Sequence, residues 1–254
     1  MSRRGGFFSS GNPVMNERAY QKASNNVLDA DMVGTQIKGE TMTVSGAVNK
    51  SFILMGLLLA FALVGYVFPN PMFIMGGGLL GLGIVLVAVF KTQWSPVLAP
   101  IYAVVEGLFV GAVSAMYASA FEGIIFQAVS LTMAVLFLML FLYKMEIIKV
   151  TQKLRSGVIM ATGAVMLVYI LSFVLSFFGI TVPYIHESGL IGIGISLVIV
   201  GIAAMNLLLD FDNFEVGERL RAPKYMEWFS AMGLIITLVW LYIEILRLLS
   251  KLRD

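Results

Sequence analysis

The chain has 254 residues, 59% of them hydrophobic and only 13% charged, with a formal net charge of +2 and a mean hydropathy of +0.91. A soluble domain carries about 25% charged residues, so this composition excludes a water-facing surface, and the few scattered basic residues exclude a nucleic-acid stripe. With no Cys in the chain, disulfides, thiolate metal sites and Cys nucleophiles are excluded too.

Residues 1–50 are polar and rich in Gly, Ser, Asn and Thr, with Arg3, Arg4, Arg18, Lys22, Lys38 and Lys50 spread through them. No apolar segment follows the early arginines, so they do not read as a cleavable signal peptide. The expectation is a mostly disordered tail with a short helix near Glu17–Ser24.

From Ser51 onward come apolar runs long enough to cross a ~30 Å hydrocarbon core, which takes about 20 helical residues. The predicted spans are Phe52–Phe68, Met72–Phe90, Val97–Ala120, Ile124–Tyr143, Val158–Phe178, Gly189–Leu209 and Tyr225–Leu249. They are separated by Pro69-Asn70-Pro71, Lys91 to Pro96, Phe121-Glu122-Gly123, a basic loop, Gly179 to Ser188, and an acidic corner. The runs are continuous rather than alternating and about twice the length of a membrane strand, which excludes a β-barrel. The fold class expected is therefore all-α: a tail over residues 1–50 and a seven-helix transmembrane bundle over 51–254.

Fourteen Lys and Arg fall in the tail and the alternate loops that share its side, and none in the loops opposite. The positive-inside rule then places the amino terminus in the cytoplasm. Seven crossings leave Lys251 and Arg253 outside, so the last segment either spans against the rule or re-enters. Spanning is favoured, because Tyr225–Leu249 has no central Pro or Gly pair. Gly77 and Gly81 in the second span, and Gly107 and Gly111 in the third, form GxxxG pairs. Such pairs let helix backbones approach closely, and packing inside the chain is a better reading of them than homodimerisation.

The acids are few. Glu106 is the one charge well inside a span, about 13 Å from the start of the third run. An ionised carboxylate there costs roughly 2.5–3.5 kcal/mol. It therefore lines a cation pathway, or it is a neutral group hydrogen-bonded to a neighbouring helix. Asp210 and Asp212 close the sixth run in Asn206-Leu207-Leu208-Leu209-Asp210-Phe211-Asp212. Asp210 continues the face of Asn206 and should look into the bundle. Asp212 caps or meets Lys224, or the acids pair with Arg219 or Arg221. Two carboxylates held close share a proton, which is how acids come to sense neutral pH. Glu227 opens the last run at Asp210's depth, whereas Glu244 lies ~25 Å further along, with Arg247 at i+3 as its natural partner. His186 and Glu187 read as loop residues. No GxSxG, P-loop or HExxH pattern occurs, so the chain reads as non-enzymatic and without a cofactor.

The third span, with Tyr102-Ala103-Val104-Val105-Glu106-Gly107-Leu108-Phe109-Val110-Gly111, the acidic end of the sixth, and the closing segment from Arg221 to Leu249 together resemble the Bax inhibitor-1 family, also called the transmembrane Bax inhibitor motif family. The similarity covers roughly residues 50–252 and is nearest the bacterial YccA-like branch. It implies seven helices with the last near the centre, in the bacterial inner membrane. It also implies a pH-sensitive Ca²⁺ leak gated by a carboxylate pair between the sixth helix and the last. The first of that pair maps onto Asp210, or onto Asp212 with a small shift. The second position falls near Thr237, so Glu106 or Glu227 would have to substitute. On this reading Glu106 and Asp210 contact Ca²⁺ transiently as the permeant ion. A regulator that binds a membrane-anchored protease or another membrane complex through its tail is the alternative; a proton-coupled carrier would need a substrate pocket the sequence does not display.

Overall fold

The computed structural model describes residues 40–176, 178–179 and 189–253. Seven long helices account for most of them: α1 Val44–Val67, α2 Pro71–Phe90, α3 Ser95–Ala120, α4 Ile124–Lys144, α5 Gln152–Ser176, α6 Leu190–Arg219 and α7 Met226–Lys251. A single 3-10 turn, Thr92–Trp94, joins α2 to α3. All seven are long and apolar enough to cross a membrane. The expected tail helix near Glu17–Ser24, and His186 and Glu187, lie outside the described residues.

Local chemistry sets the helix starts. The Thr43 hydroxyl accepts from Gly46 N at 2.9 Å, so α1 begins eight residues before the predicted span and takes in Lys50. The Asn70 side chain accepts from Met72 N, with Pro71 in the first turn, where a missing N–H costs nothing. Gly123, at φ +70°, turns the chain into α4. The Thr151 hydroxyl accepts from Leu154 N, so α5 starts at Gln152 and takes in Lys153, which stays exposed, and Arg155, which is buried. The largest departure is in α6. It runs ten residues past Leu209, to Arg219, so the acidic corner is helix and the chain turns only at Leu220 to Tyr225.

The central helix is α7. Most of its residues are buried, while α2, α4 and α5 bury few and turn Met75, Phe126 and Phe173 outward. That inverted polarity suits a bilayer, where apolar surface carries no hydration penalty. The helix α7 is continuous over 26 residues, about 39 Å at helical rise, and shows no re-entrant break. The glycine pairs work inside the chain. A Cβ on Gly77 would lie 2.8 Å from Phe109 Cβ, and one on Gly107 would lie 2.6 Å from the Leu58 carbonyl; one on Gly111 would collide with the Ala62 carbonyl. These close approaches bind α2 and α1 to α3.

Candidate functional site

The sixth helix presents Asn206, Asp210 and Asn213 along one buried face, at 2%, 0% and 0% exposure. The spacing of four and three residues produces that face. Opposite it stands α5, with Thr162 and Arg155 both buried. Arg155 Nη1 donates to Asn213 Oδ1 at 3.2 Å, and the same guanidinium is ion-paired with Asp212 through Nη2. Asn206 Nδ2 donates to Thr162 Oγ1 at 2.8 Å. Asn206 Oδ1 and Asn213 Nδ2 find no partner among the described residues. The result is a polar seam in an apolar bundle, built from one arginine, two aspartates, two asparagines and one threonine.

Arg155 was not legible as part of this site. The sequence put it in a basic loop and offered Lys224, Arg219 or Arg221 as the partner of Asp212. The structure corrects that assignment: Arg155 takes Asp212, and Lys224 is ion-paired with Glu40. The available signals were Thr151 as a helix start four residues earlier and Arg155 as the lone arginine among the lysines of that loop. A planar fork of donors suits a buried carboxylate better than an ammonium does.

Glu106 lies elsewhere. It is about 9% exposed, on α3, and its Oε2 would sit 2.7 Å from a Cβ on Gly81 of α2. The glycine leaves the space that the carboxyl occupies. Asp210 belongs to the α5–α6 seam and Glu106 to the α2–α3 seam, so the structure does not bring the two together. No group of three acidic, His or Cys side chains gathers among the described residues.

Glu227 turns towards the start of α1 rather than towards Asp210. Its Oε2 lies 2.7 Å from Lys50 Nζ, and its Oε1 accepts from Thr43 N at 3.1 Å. Glu218 accepts from Val44 N at 3.2 Å. Two acids thus meet the positive end of the α1 dipole. The preceding residues form a strap: Met42 N donates to Ala222 O at 2.7 Å, Lys224 N donates to Glu40 O at 3.0 Å, and Thr41 bridges Pro223. This strap ties residues 40–43 to the turn between α6 and α7. Thr237, at the position expected for a second aspartate, is buried, and its hydroxyl donates back to Gly233 O at 3.3 Å.

Glu244, near the far end of α7, meets Arg247 Nη1 at 3.1 Å and accepts from Tyr169 Oη at 2.8 Å. Lys251 Nζ donates to Ser196 Oγ at 3.0 Å. These contacts weld α7 to α5 and α6 on the side opposite the strap.

Seven apolar helices that bury ion pairs between them define a polytopic integral membrane protein. A family described as Bax inhibitor 1 like matches residues 12–254, and the chain belongs to that family. No curated protein and no solved structure matches the chain significantly.

Proposed function

We propose that the protein is a cation leak, with Ca²⁺ as the permeant ion, whose pathway is held shut at the α5–α6 seam. The observation that carries this reading is the burial of Asp210 beside the Arg155–Asp212–Asn213 cluster. Carboxylate and amide oxygens are what a hard cation accepts in place of water, and acids inside a membrane mark ion paths more often than packing. Arg155 occupies the charge that a passing cation would otherwise meet, so the guanidinium acts as the latch. Protonating an aspartate weakens its hold on Arg155, which makes the latch sensitive to pH. The basic loops favour an orientation in which the tail, the strap and this seam face the cytoplasm; an inner-membrane location goes with that orientation.

The test is Ca²⁺ flux from loaded liposomes containing the full chain. Flux should change between about pH 6 and 8 and fall with Asp210→Asn. Glu106→Gln lowers it only if the path continues along α3. Arg155→Gln should raise flux at the pH where the native chain is least permeable. Flux equal to that of empty liposomes, in the native chain and in Arg155→Gln alike, overturns the reading.

The second reading, a regulator that engages a membrane-anchored protease or another membrane complex, draws on the strap, which joins the segment preceding α1 to the turn beside Glu218. On that reading, deleting residues 1–39 abolishes partner pull-down and leaves flux intact.

A further inference from the structure

Helices α1 and α4 both pack against α7 but do not close over it. Between them runs a groove in two parts, each of about 590 Å³. The parts share Met55, Met133, Ile235 and Leu238, so they form one channel with a waist of apolar side chains. The groove reaches from Val44 to Tyr66 along α1, about 33 Å at helical rise, close to the thickness of a hydrocarbon core. Its side is open to the surroundings of the bundle, with Phe126 and Phe137 exposed at the rim. The deep end holds little polar surface beyond Thr132, Tyr66 and the Ser114–Tyr242 pair, whose oxygens are already joined at 2.7 Å.

The other end is different. Lys144, Lys149, Glu146 and Glu215 line the mouth on the side of the strap, and Lys149 and Glu146 stand exposed and 3.1 Å apart. Two cations and two anions balance, so the mouth is a mixed-charge shelf above an apolar shaft.

We propose that this groove is a binding site for a zwitterionic phospholipid with a primary ammonium headgroup. The phosphate sits by Lys144 and Lys149, the ammonium faces Glu146 and Glu215, and one acyl chain lies along α7 past Met133. Charge complementarity selects the headgroup: a lipid with net negative charge would satisfy the lysines and leave the acids repelling it. A trimethylated ammonium would offer the acids no hydrogen-bond donor. Because Phe211 and Phe214 of α6 also line this half of the groove, the occupant touches the helix that carries Asp210 and Asp212. The site rests on the groove alone and does not depend on ion conduction.

The experiment is quantitative retention of lipid by the detergent-purified full chain, read by native mass spectrometry after incubation with phosphatidylethanolamine, phosphatidylglycerol or phosphatidylcholine of identical chains. Phosphatidylethanolamine should bind at one molecule per chain and in preference to the other two. Lys144→Gln with Lys149→Gln, both at exposed positions, should weaken it about tenfold or more, as each lysine near a phosphate surface contributes about 1 kcal/mol. Met133→Trp should expel the chain, and Leu79→Trp, on the outer face of α2, should change nothing. Equal retention of all three lipids, retention unaltered by the lysine pair, or equal losses in Met133→Trp and Leu79→Trp would mean annular lipid only and would overturn the proposal.

Discussion

Two acids at helix seams, one partly exposed and one buried, meet opposite fates in this bundle. Asp212 on α6 is matched by a guanidinium from α5, inside a seam where Asn206, Asp210 and Asn213 add further polar groups. Glu106 on α3 is received by Gly81 and the ring of Tyr102, with the ring carbon and the carboxyl both against the space above the glycine. The first seam is organised by charge and the second by shape. A buried charge with a dedicated counter-ion becomes strongly unfavourable when one partner goes, whereas a carboxyl packed into a glycine notch can stay neutral and be replaced by its amide. The lesson is that burial depth alone, which ranks Glu106 and Asp210 close together, does not identify a switch; the company a carboxylate keeps does.

The largest effect follows directly. Arg155→Met should destabilise the protein by about 3 kcal/mol, the low end for breaking a buried pair, because the stranded Asp212 keeps partial exposure. Glu106→Gln should cost less than about 1 kcal/mol, since the amide fills the same notch. Reversible unfolding in mixed micelles, titrated with a denaturing detergent, reads both. Adding Asp212→Leu to Arg155→Met should recover part of the loss. Equal costs for Arg155→Met and Glu106→Gln would erase the distinction between the seams.

Next comes the shape-organised seam itself. Gly107→Ala drives a Cβ to 2.6 Å from the Leu58 carbonyl and 2.9 Å from Phe61 Cβ. Backbone cannot step aside cheaply, and overpacking of this kind costs about 1–3 kcal/mol. Gly81→Ala meets the far end of the Glu106 side chain at 2.7 Å, which can swing away, so its cost should be smaller. Combining it with Glu106→Ala should remove the remainder. The same unfolding titration decides, and a Gly81→Ala penalty as large as that of Gly107→Ala would show that Glu106 is pinned.

How much of this was legible in the sequence differs between the two seams. Hydrophobic run length alone located all seven helices, because membrane thickness fixes that length, and the glycine spacing pointed to packing within the chain. Helix ends were misjudged where polar residues remain helical. Lys50, Arg155 and the stretch from Asp210 to Arg219 all lie inside helices, since caps and buried partners, not hydropathy, decide where a helix stops. Glu244 with Arg247 was readable because an i+3 pair is local. Arg155 with Asp212 was not, because a contact across 57 residues leaves no periodic trace. Shared depth makes Glu227 one of two candidate partners for Asp210, but depth says nothing of azimuth, and the α7 face that carries it is turned to Lys50 and Thr43.

The smallest effect tests whether charge or hydrogen bonding holds the α5–α6 seam. Thr162 Oγ1 accepts from Asn206 Nδ2 at 2.8 Å, but that amide also donates to Ile202 O at 2.9 Å within its own helix. Thr162→Val keeps the side-chain volume and removes the acceptor, leaving Nδ2 with its intrahelical partner. Side-chain hydrogen bonds between membrane helices average about 0.6 kcal/mol, because the separated helices find substitutes, and the retained bond to Ile202 keeps this one at or below that figure. The unfolding titration should therefore place Thr162→Val well under Arg155→Met. If the two were similar, Asn206 rather than Arg155 would be the anchor of the seam, and the guanidinium could be released without parting α5 from α6.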